Sequence, residues 1–412
     1  MRILIVSHTF PYPPNEGIKL PLYNLIKEFS KNNEVSLISF IFEKEKIFID
    51  EVKKYCKELE IIFFKPSKNI LKIFYNIFFE STPYNVKQFF SLEFKEKLLS
   101  LTKKIDFDII FFDFLTTAIY SDFIIDKRFV KFLHYHDAMS MLFYRNFFSD
   151  KNILRKVYWY FQYRKILSFE NKFNNMFDKI TVVAEKDKQW LVSKSKIEEN
   201  KVEVIPNGVD IEYFKVFKEE ILKYKKELKI FSPSILFRGI MNFRPNIDGC
   251  LWFLKKVFPI LKKLIPEIKF YIVGPNPSNE ILRYKIEDVI IKGYVEDLRF
   301  YIASCDINIC PMISGSGIKN KILESLAMGK PSVITSIACE GIPELKDGEN
   351  VLIADTPQEF ADKIILLFKN NDLYQKIAYN GRKLVEKNYT WEKAVKKFYK
   401  LFEELSRGDS TL

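Results

Sequence analysis

The sequence predicts an α/β protein built from two doubly wound, Rossmann-like parallel-sheet domains that face each other across a cleft. Three observations carry this expectation. Short apolar runs alternate with segments of helical spacing along the whole chain, which is the pattern of a parallel sheet covered on both faces. The alternation begins at residue 2 and restarts at residue 234. The 412 residues are 48% apolar, with Phe at 40 positions, which is too long for one core and enough to fill two.

RILIVSH (2–8) is short and β-branched and ends at a turn, so it reads as a buried strand. IKLPLYNLIKEFSK (18–31) follows with helical spacing, and EVSLISF (34–40) closes a βαβ unit. FDIIFFD (107–113), FVKFLHY (129–135) and KITVVAE (179–185) add strands, and KVEVIPNGVD (201–210) ends the half at a Pro-Asn-Gly turn. In the second half SILFRG (234–239) is a strand, NIDGCLWFLKKVFPILKKL (246–264) is helical and KFYIVGP (269–275) is again a strand. VIIKGYV (289–295), INICP (307–311), PSVIT (331–335) and NVLIA (350–354) complete the set. The expected domains are 1–206 and 207–389. The amphipathic TWEKAVKKFYKLFEEL has no strand to follow, so 390–412 is expected to pack back on the first domain. Ligands of such sheets lie beyond the carboxyl ends of the strands, which makes the cleft the default site.

Composition excludes several classes. The five cysteines (56, 250, 305, 310, 339) are scattered, with no CxxC, which argues against a disulfide framework or a zinc site and for a reducing compartment. MRILIVSHTFPYPP lacks a basic segment followed by a long apolar one, and no run of about 18 apolar residues occurs anywhere. The expectation is a cytoplasmic protein, with peripheral membrane contact left open. The net charge of +12 fits solvated helix faces, and it equally fits attraction to an anionic membrane surface. NILKIFYNIFFE (69–80) mixes aromatics with Lys, as either an interfacial or a buried helix does. No nucleic-acid-binding motif is present, so nucleic acid is not an expected partner.

The chemistry concentrates in PMISGSGIKNKILESLAMGKPSVIT (311–335). SGSG is the loop at the carboxyl end of a strand, and a helix begins near Lys319. Ile322, Leu323, Leu326 and Ala327 mark its buried stripe, and Gly329 and Pro331 end it. The glycines admit backbone N–H groups close to an anion, the helix terminus adds its dipole and Lys319 a full charge. Glu324 lies about a turn and a half into the helix, too far in to share a phosphate position but placed to accept hydrogen bonds from ribose hydroxyls. A tight turn explains a G-x-G loop equally well when it stands alone.

ILESLAMGKPSVIT resembles the donor-site signature of retaining GT-B glycosyltransferases of family 4, also called group 1. IPNGVDIEYF, IVGP, KGYVEDLRFYIASCDINICP, DGENVLIADTPQEFADKIILLF and NYTWEKAVKKF resemble further pieces of that family in the right order, over nearly all of 200–405. SHTFPYPPNEGIKLPLYNLIKEF resembles its first strand–loop–helix. The resemblance implies a transferase that takes a sugar from a UDP- or GDP-linked donor to a glycan or lipid-linked acceptor. It implies retention of configuration in cell-surface polysaccharide or glycolipid synthesis, with no metal and no cofactor beyond the donor itself.

Residue by residue, Glu324 matches the second glutamate of the family pair, which holds the ribose, while Ser316 stands at the first, which contacts the sugar. In RGIMNFRPNIDG, Gly239 is in register but Ile240 occupies the position of the arginine that neutralises the diphosphate. Arg244 and Lys319 are the cations that substitute, with Asn246 of FRPN beside them; a surface salt bridge is the alternative for Arg244. Tyr294 and Val295 frame the base, unless they only pack the strand end. Gly17 brings backbone near the donor phosphates, and Gly317 and Ile318 form the helix terminus. His136, with Asp137 behind it, is the histidine expected near the transferred sugar; a structural hydrogen-bonding role remains the alternative. His8 and His134 also end strands. Asp106-Phe-Asp108 imitates a metal-binding DxD but sits at a strand entry, the wrong end for a ligand. Asn388-Tyr-Thr390 is a glycosylation sequon only in a secreted chain. Two other classes compete: a sugar-nucleotide epimerase on the same fold, and a silent module that retains the nucleotide pocket but has lost the first acid.

Overall fold

The computed structural model describes residues 1–14, 17–65, 70–125, 129–150, 152–215, 218–315 and 317–408. The chain forms two compact units. One comprises Met1–Pro206 together with Ala394–Leu412, the other Asn207–Lys393. Thr390 pairs with Val209 in a parallel bridge, and Val209 N–H bonds the Tyr389 carbonyl, so the segment up to Lys393 stays with the second unit.

The first unit holds a seven-stranded sheet: β1 (Arg2–Ser7), β2 (Glu34–Ile41), β3 (Glu58–Phe63), β4 (Ile109–Asp113), β5 (Val130–Tyr135), β6 (Lys179–Val182) and β7 (Val202–Val204). All pairings are parallel and the order is β3-β2-β1-β4-β5-β6-β7. The central strands are apolar on both faces because helices cover both. β3 was not expected from the sequence. It is an edge strand whose Glu58 and Glu60 interrupt the apolar run that marks its neighbours. The helices that matter below are α1 (Lys19–Phe29), α2 (Ile70–Phe79), α3 (Met139–Ser149) and α4 (Ile153–Phe173).

In the second unit β8 (Ser234–Arg238), β9 (Lys269–Val273), β10 (Val289–Lys292), β11 (Ile307–Cys310), β12 (Ser332–Ile334) and β13 (Leu352–Ile353) form a parallel six-stranded sheet, in the order β10-β9-β8-β11-β12-β13. Its two site helices are α5 (Arg244–Trp252) and α6 (Asn320–Ala327). The helix expected over 246–264 runs without a break from Arg244 to Leu264; it contains a π-helical turn at Phe253–Val257, just before Pro259, which lacks the N–H that a regular α-helix needs. The terminal helix α7 (Trp391–Gly408) has Phe398 and Phe402 against Phe29, Phe111 and Phe132, so its part from Ala394 onward belongs to the first unit's core.

The strand order of each sheet reverses once. The first does so between β1 and β4, the second between β8 and β11. At such a switch point the following loops diverge to opposite sides and leave a crevice at the strands' carboxyl ends. In the second sheet the crevice is shaped by backbone contact. A Cβ on Gly274 would stand 1.9 Å from the Gly239 carbonyl oxygen, and Gly274 also has φ +147°, which disfavours a side chain. Gly274→Ala is therefore expected to destabilise the protein by about 2 kcal/mol or more, measured by denaturant unfolding.

Candidate functional site

At the second switch point the last residue of β8, Arg238, is buried and bonds Glu324 of α6. Its Nη2 also donates to the Lys321 carbonyl at 2.6 Å. This joins β8 to the first turn of α6 through a charged pair that is almost fully withdrawn from water. Removing one partner of such a pair costs about 3–5 kcal/mol, because the other charge is left buried alone. Arg238 engages Oε2 of Glu324; Oε1 makes no hydrogen bond among the described residues and is free to accept from a ligand hydroxyl.

Lys321 lies beside this pair. Its Nζ donates to Asn246 Oδ1 at 2.6 Å and sits 4.8 Å from the centre of the Phe237 ring. Asn246 donates in turn to the Ile240 carbonyl at 3.0 Å. A Cβ on Gly239 would meet Asn246 Nδ2 at 2.7 Å and Lys321 Nζ at 3.1 Å, so only glycine lets these groups close over the strand end. Burial pulls the Lys321 ammonium down from its ordinary 10.5 to about 8; Arg238 and Lys319 add to the effect and Glu324 opposes it. A diphosphate would reverse this by supplying the missing negative charge.

Lys319 is the N-cap residue of α6, and its Nζ bonds the Gly317 carbonyl at 3.0 Å. Gly317 has φ +66°, and Ile318 packs on the core. Ile322, Leu323, Leu326 and Ala327 are buried as their spacing implied, and Gly329, at φ +62°, ends the helix. Ser316 lies outside the described residues. Tyr294 is exposed at the carboxyl end of β10, and Val295 packs against the core. Arg244 departs from its expected place. Its exposed guanidinium is engaged by Asp248 at 2.6 Å and Glu280 at 3.1 Å, so the cation gathered at Gly239 is Lys321.

The first switch point carries a second constellation. Ser7, Asp113, His134 and Thr181 stand in register across β1, β4, β5 and β6. Ser7 Oγ donates to Asp113 at 3.1 Å, and His134 Nδ1 lies 2.9 Å from Thr181 Oγ1. His136 Nε2 is 2.9 Å from Asp113 Oδ1. The carboxylate holding His136 is thus Asp113 from the neighbouring strand, and not Asp137, its neighbour in sequence. Burial works to raise Asp113, but attraction to His136, their hydrogen bond, and His134 and His8 outweigh it, so the carboxyl stays below its usual range. Burial lowers His8 to about 4 and His134 to about 3, so both are neutral at pH 7. An ionised carboxylate only accepts, so Nε2 of His136 carries the proton toward Asp113. Nδ1 is left buried without a hydrogen-bond partner. Phe114, between the rings of His8 and His136, has φ +78°, a costly conformation for a bulky residue and one that gathers at functional sites. Gly17 precedes α1 in a turn where an added Cβ would meet nothing, so space does not require glycine there. Asp108 accepts from Arg2 N–H at 2.6 Å at the opposite end of the sheet, away from the site.

The chain is similar to known proteins across both units. Residues 22–213 match the model described as Glycosyltransferase Family 4, and 232–370 the model described as Glycosyl transferases group 1. The chain belongs to the group 1/family 4 glycosyltransferases and has their GT-B fold. It is 26% identical to an uncharacterized 44.6 kDa protein in the cps region of Klebsiella pneumoniae, over 97% of this chain and 99% of that one. It is 25% identical to the UDP-Gal:alpha-D-GlcNAc-diphosphoundecaprenol alpha-1,3-galactosyltransferase of Escherichia coli, over 37% of this chain and 41% of that enzyme. Among solved structures, Anabaena HepE in complex with UDP superposes with a TM-score of 0.72 at 15% identity, covering 98% of this chain and all of that one.

The geometry yields two expectations. Lys321→Met removes a charge whose burial costs stability below pH 8, a cost that fades as pH rises from 8 toward the ordinary value of 10.5. The variant should melt no lower than the parent at pH 7, any gain should shrink by pH 9.5, and UDP affinity should fall about 10–100-fold by calorimetry. Glu324→Ala should destabilise by about 3–5 kcal/mol, and Glu324→Gln, which keeps an acceptor for Arg238, by less; both should weaken nucleotide binding, read by thermal shift.

Proposed function

We propose that this glycosyltransferase moves a hexose from a UDP-sugar to a lipid-linked acceptor with retention of configuration, in cell-surface polysaccharide or glycolipid synthesis at the cytoplasmic side of a membrane. The single observation that carries the reading is the grouping of Glu324, Lys321 and Asn246 around Gly239, with the N-terminus of α6 beside it. Glu324 Oε1 accepts from the ribose hydroxyls. Lys321, Lys319 and the first N–H groups of α6 meet the diphosphate, on which negative charge grows as the bond to the sugar breaks. Tyr294 and Val295 frame the base. His136 offers Nδ1 to a hydroxyl of the transferred sugar, and Asp113 acts as a positioning residue by holding Nε2.

In the transfer, the bond from the anomeric carbon to the diphosphate oxygen breaks and one to the acceptor oxygen forms on the same face. The acceptor's proton passes to the leaving phosphate, so the step needs neither a protein base nor a metal. HepE has been solved with UDP-glucose, and the Escherichia coli relative takes UDP-Gal and a diphosphoundecaprenol-linked acceptor, which supports a UDP donor and a lipid-linked acceptor here. Ser316 in place of an acid favours a second reading, a module that binds the nucleotide without turnover.

Incubation with UDP-sugars and a short-chain polyprenyl-diphosphate sugar, followed by NMR of the product, tests the reading. An axial linkage from an axial donor is expected. An inverted linkage contradicts retention, and UDP binding without transfer to any acceptor favours the silent module. Asp113→Asn should lower kcat about 10–100-fold and leave UDP affinity unchanged, since the amide can donate to His136 and reverse its tautomer.

A further inference from the structure

The first unit exposes a continuous aromatic surface. On α2, Phe74 and Phe78 lie 4.9 Å apart between ring centres, and Phe78 is 5.9 Å from Phe161 of α4. The chain of rings continues through Tyr160 and Phe147 to Phe148 at the end of α3, with neighbouring centres 4.9–5.7 Å apart. Phe74, Tyr75, Phe78 and Phe79 form one stripe of α2, and each is more than half exposed. Ile153 and Leu154, opening α4, are 71% and 78% exposed. At about 200 Å² per aromatic side chain, the exposed rings alone present on the order of 600 Å² of apolar surface, at the upper end of what monomeric proteins leave in one patch.

The charge around this patch is predominantly positive. Residues 70–87 and 142–165 contain eight Lys and Arg and two acids, Glu80 and Asp150. Glu80 pairs with Lys87, and Asp150 bonds Trp159 and the Asn152 N–H. A protein partner would match such a surface with acids at defined points; an anionic leaflet meets basic groups and aromatic rings together, without specific geometry. Ten-residue α2 is far too short to span a bilayer, and among the described residues no helix is long and apolar enough to cross one, so contact is made along the surface.

We infer that the surface formed by α2, the end of α3 and the start of α4 docks on an anionic lipid leaflet. The inference extends the proposed use of a lipid-linked acceptor but rests on this surface and not on the chemistry. α3 begins three residues after His136 and ends at the patch. Its eleven residues span about 16 Å, which sets His136 within reach of the head group of a lipid-linked acceptor at the docked surface.

Sedimentation with vesicles, one set neutral phosphatidylcholine and the other containing about one-third phosphatidylglycerol, tests this with the full chain. Binding to the anionic set alone is expected, weakening at high salt. The double variants Phe74→Ser/Phe78→Ser and Ile153→Glu/Leu154→Glu should each weaken it at least about 10-fold. UDP-induced thermal shift of the same samples should be unchanged. Failure to bind anionic vesicles, or equal binding by both variants, overturns the inference. So does a parent dimer in analytical ultracentrifugation that both variants render monomeric, since the patch is then a protein interface. Loss of the UDP shift in the parent would instead contradict the proposed donor site and leave the docking result standing.

Discussion

The buried pair between Arg238 and Glu324 is the contact on which the strand-end cluster of the second unit depends. A guanidinium at the end of an apolar strand cannot stay charged in the interior without an acid, and Glu324 supplies one from the next helix. The pairing fixes the rotamer of Glu324 and leaves one carboxylate oxygen available. It also sets the first turn of α6 against β8, since Arg238 binds the Lys321 carbonyl. Lys321, Asn246 and Gly239 then close around the strand end in a cluster with more positive than negative charge. Burial depresses the basicity of Lys321, and Arg238 and Lys319 add to the effect.

The first unit uses the opposite arrangement. There one buried carboxylate, Asp113, faces three histidines, and burial keeps two of them neutral. The carboxylate accepts from Nε2 of His136 and holds the ring in one orientation. Ser7, Asp113, His134 and Thr181 stand in register on the sheet, and His8 and His136 follow directly on the ends of β1 and β5. The helix that follows His136 leads to the aromatic surface, so the residue proposed to meet the sugar and the proposed lipid contact lie at the two ends of one element.

The fold was legible because parallel strands buried on both faces are nearly continuous apolar runs, and twelve of them stand out. The exception, β3, is an edge strand whose two glutamates, half-buried and paired with Lys104 and Lys97, interrupt that mark. Of the candidate site, local sequence carries the placement of the loop before α6, Glu324, Lys319, Gly239 and His136 at strand ends or on the helix that follows one. The site was not legible where long-range pairing decides. Arg238 looked like the end of a strand and Lys321 like one more basic residue of KNK, while Asp113 closed an apolar run without a motif. Each is a charged residue at or just past the carboxyl end of an apolar strand, or one turn from a site acid, and that placement was the available signal. Arg244 drew attention through its motif, yet exposure lets Asp248 and Glu280 reach it. Asp137 adjoins His136 in sequence, but the acid that binds the ring comes from the adjacent strand.

A crystal structure with UDP tests the account most directly. It should show the ribose hydroxyls on Glu324 Oε1, with Arg238 still on Oε2, and the diphosphate within hydrogen-bond distance of Lys321 Nζ and the N-terminus of α6. A nucleotide bound elsewhere, or a diphosphate held by Arg244 while Lys321 remains on Asn246 alone, would contradict it.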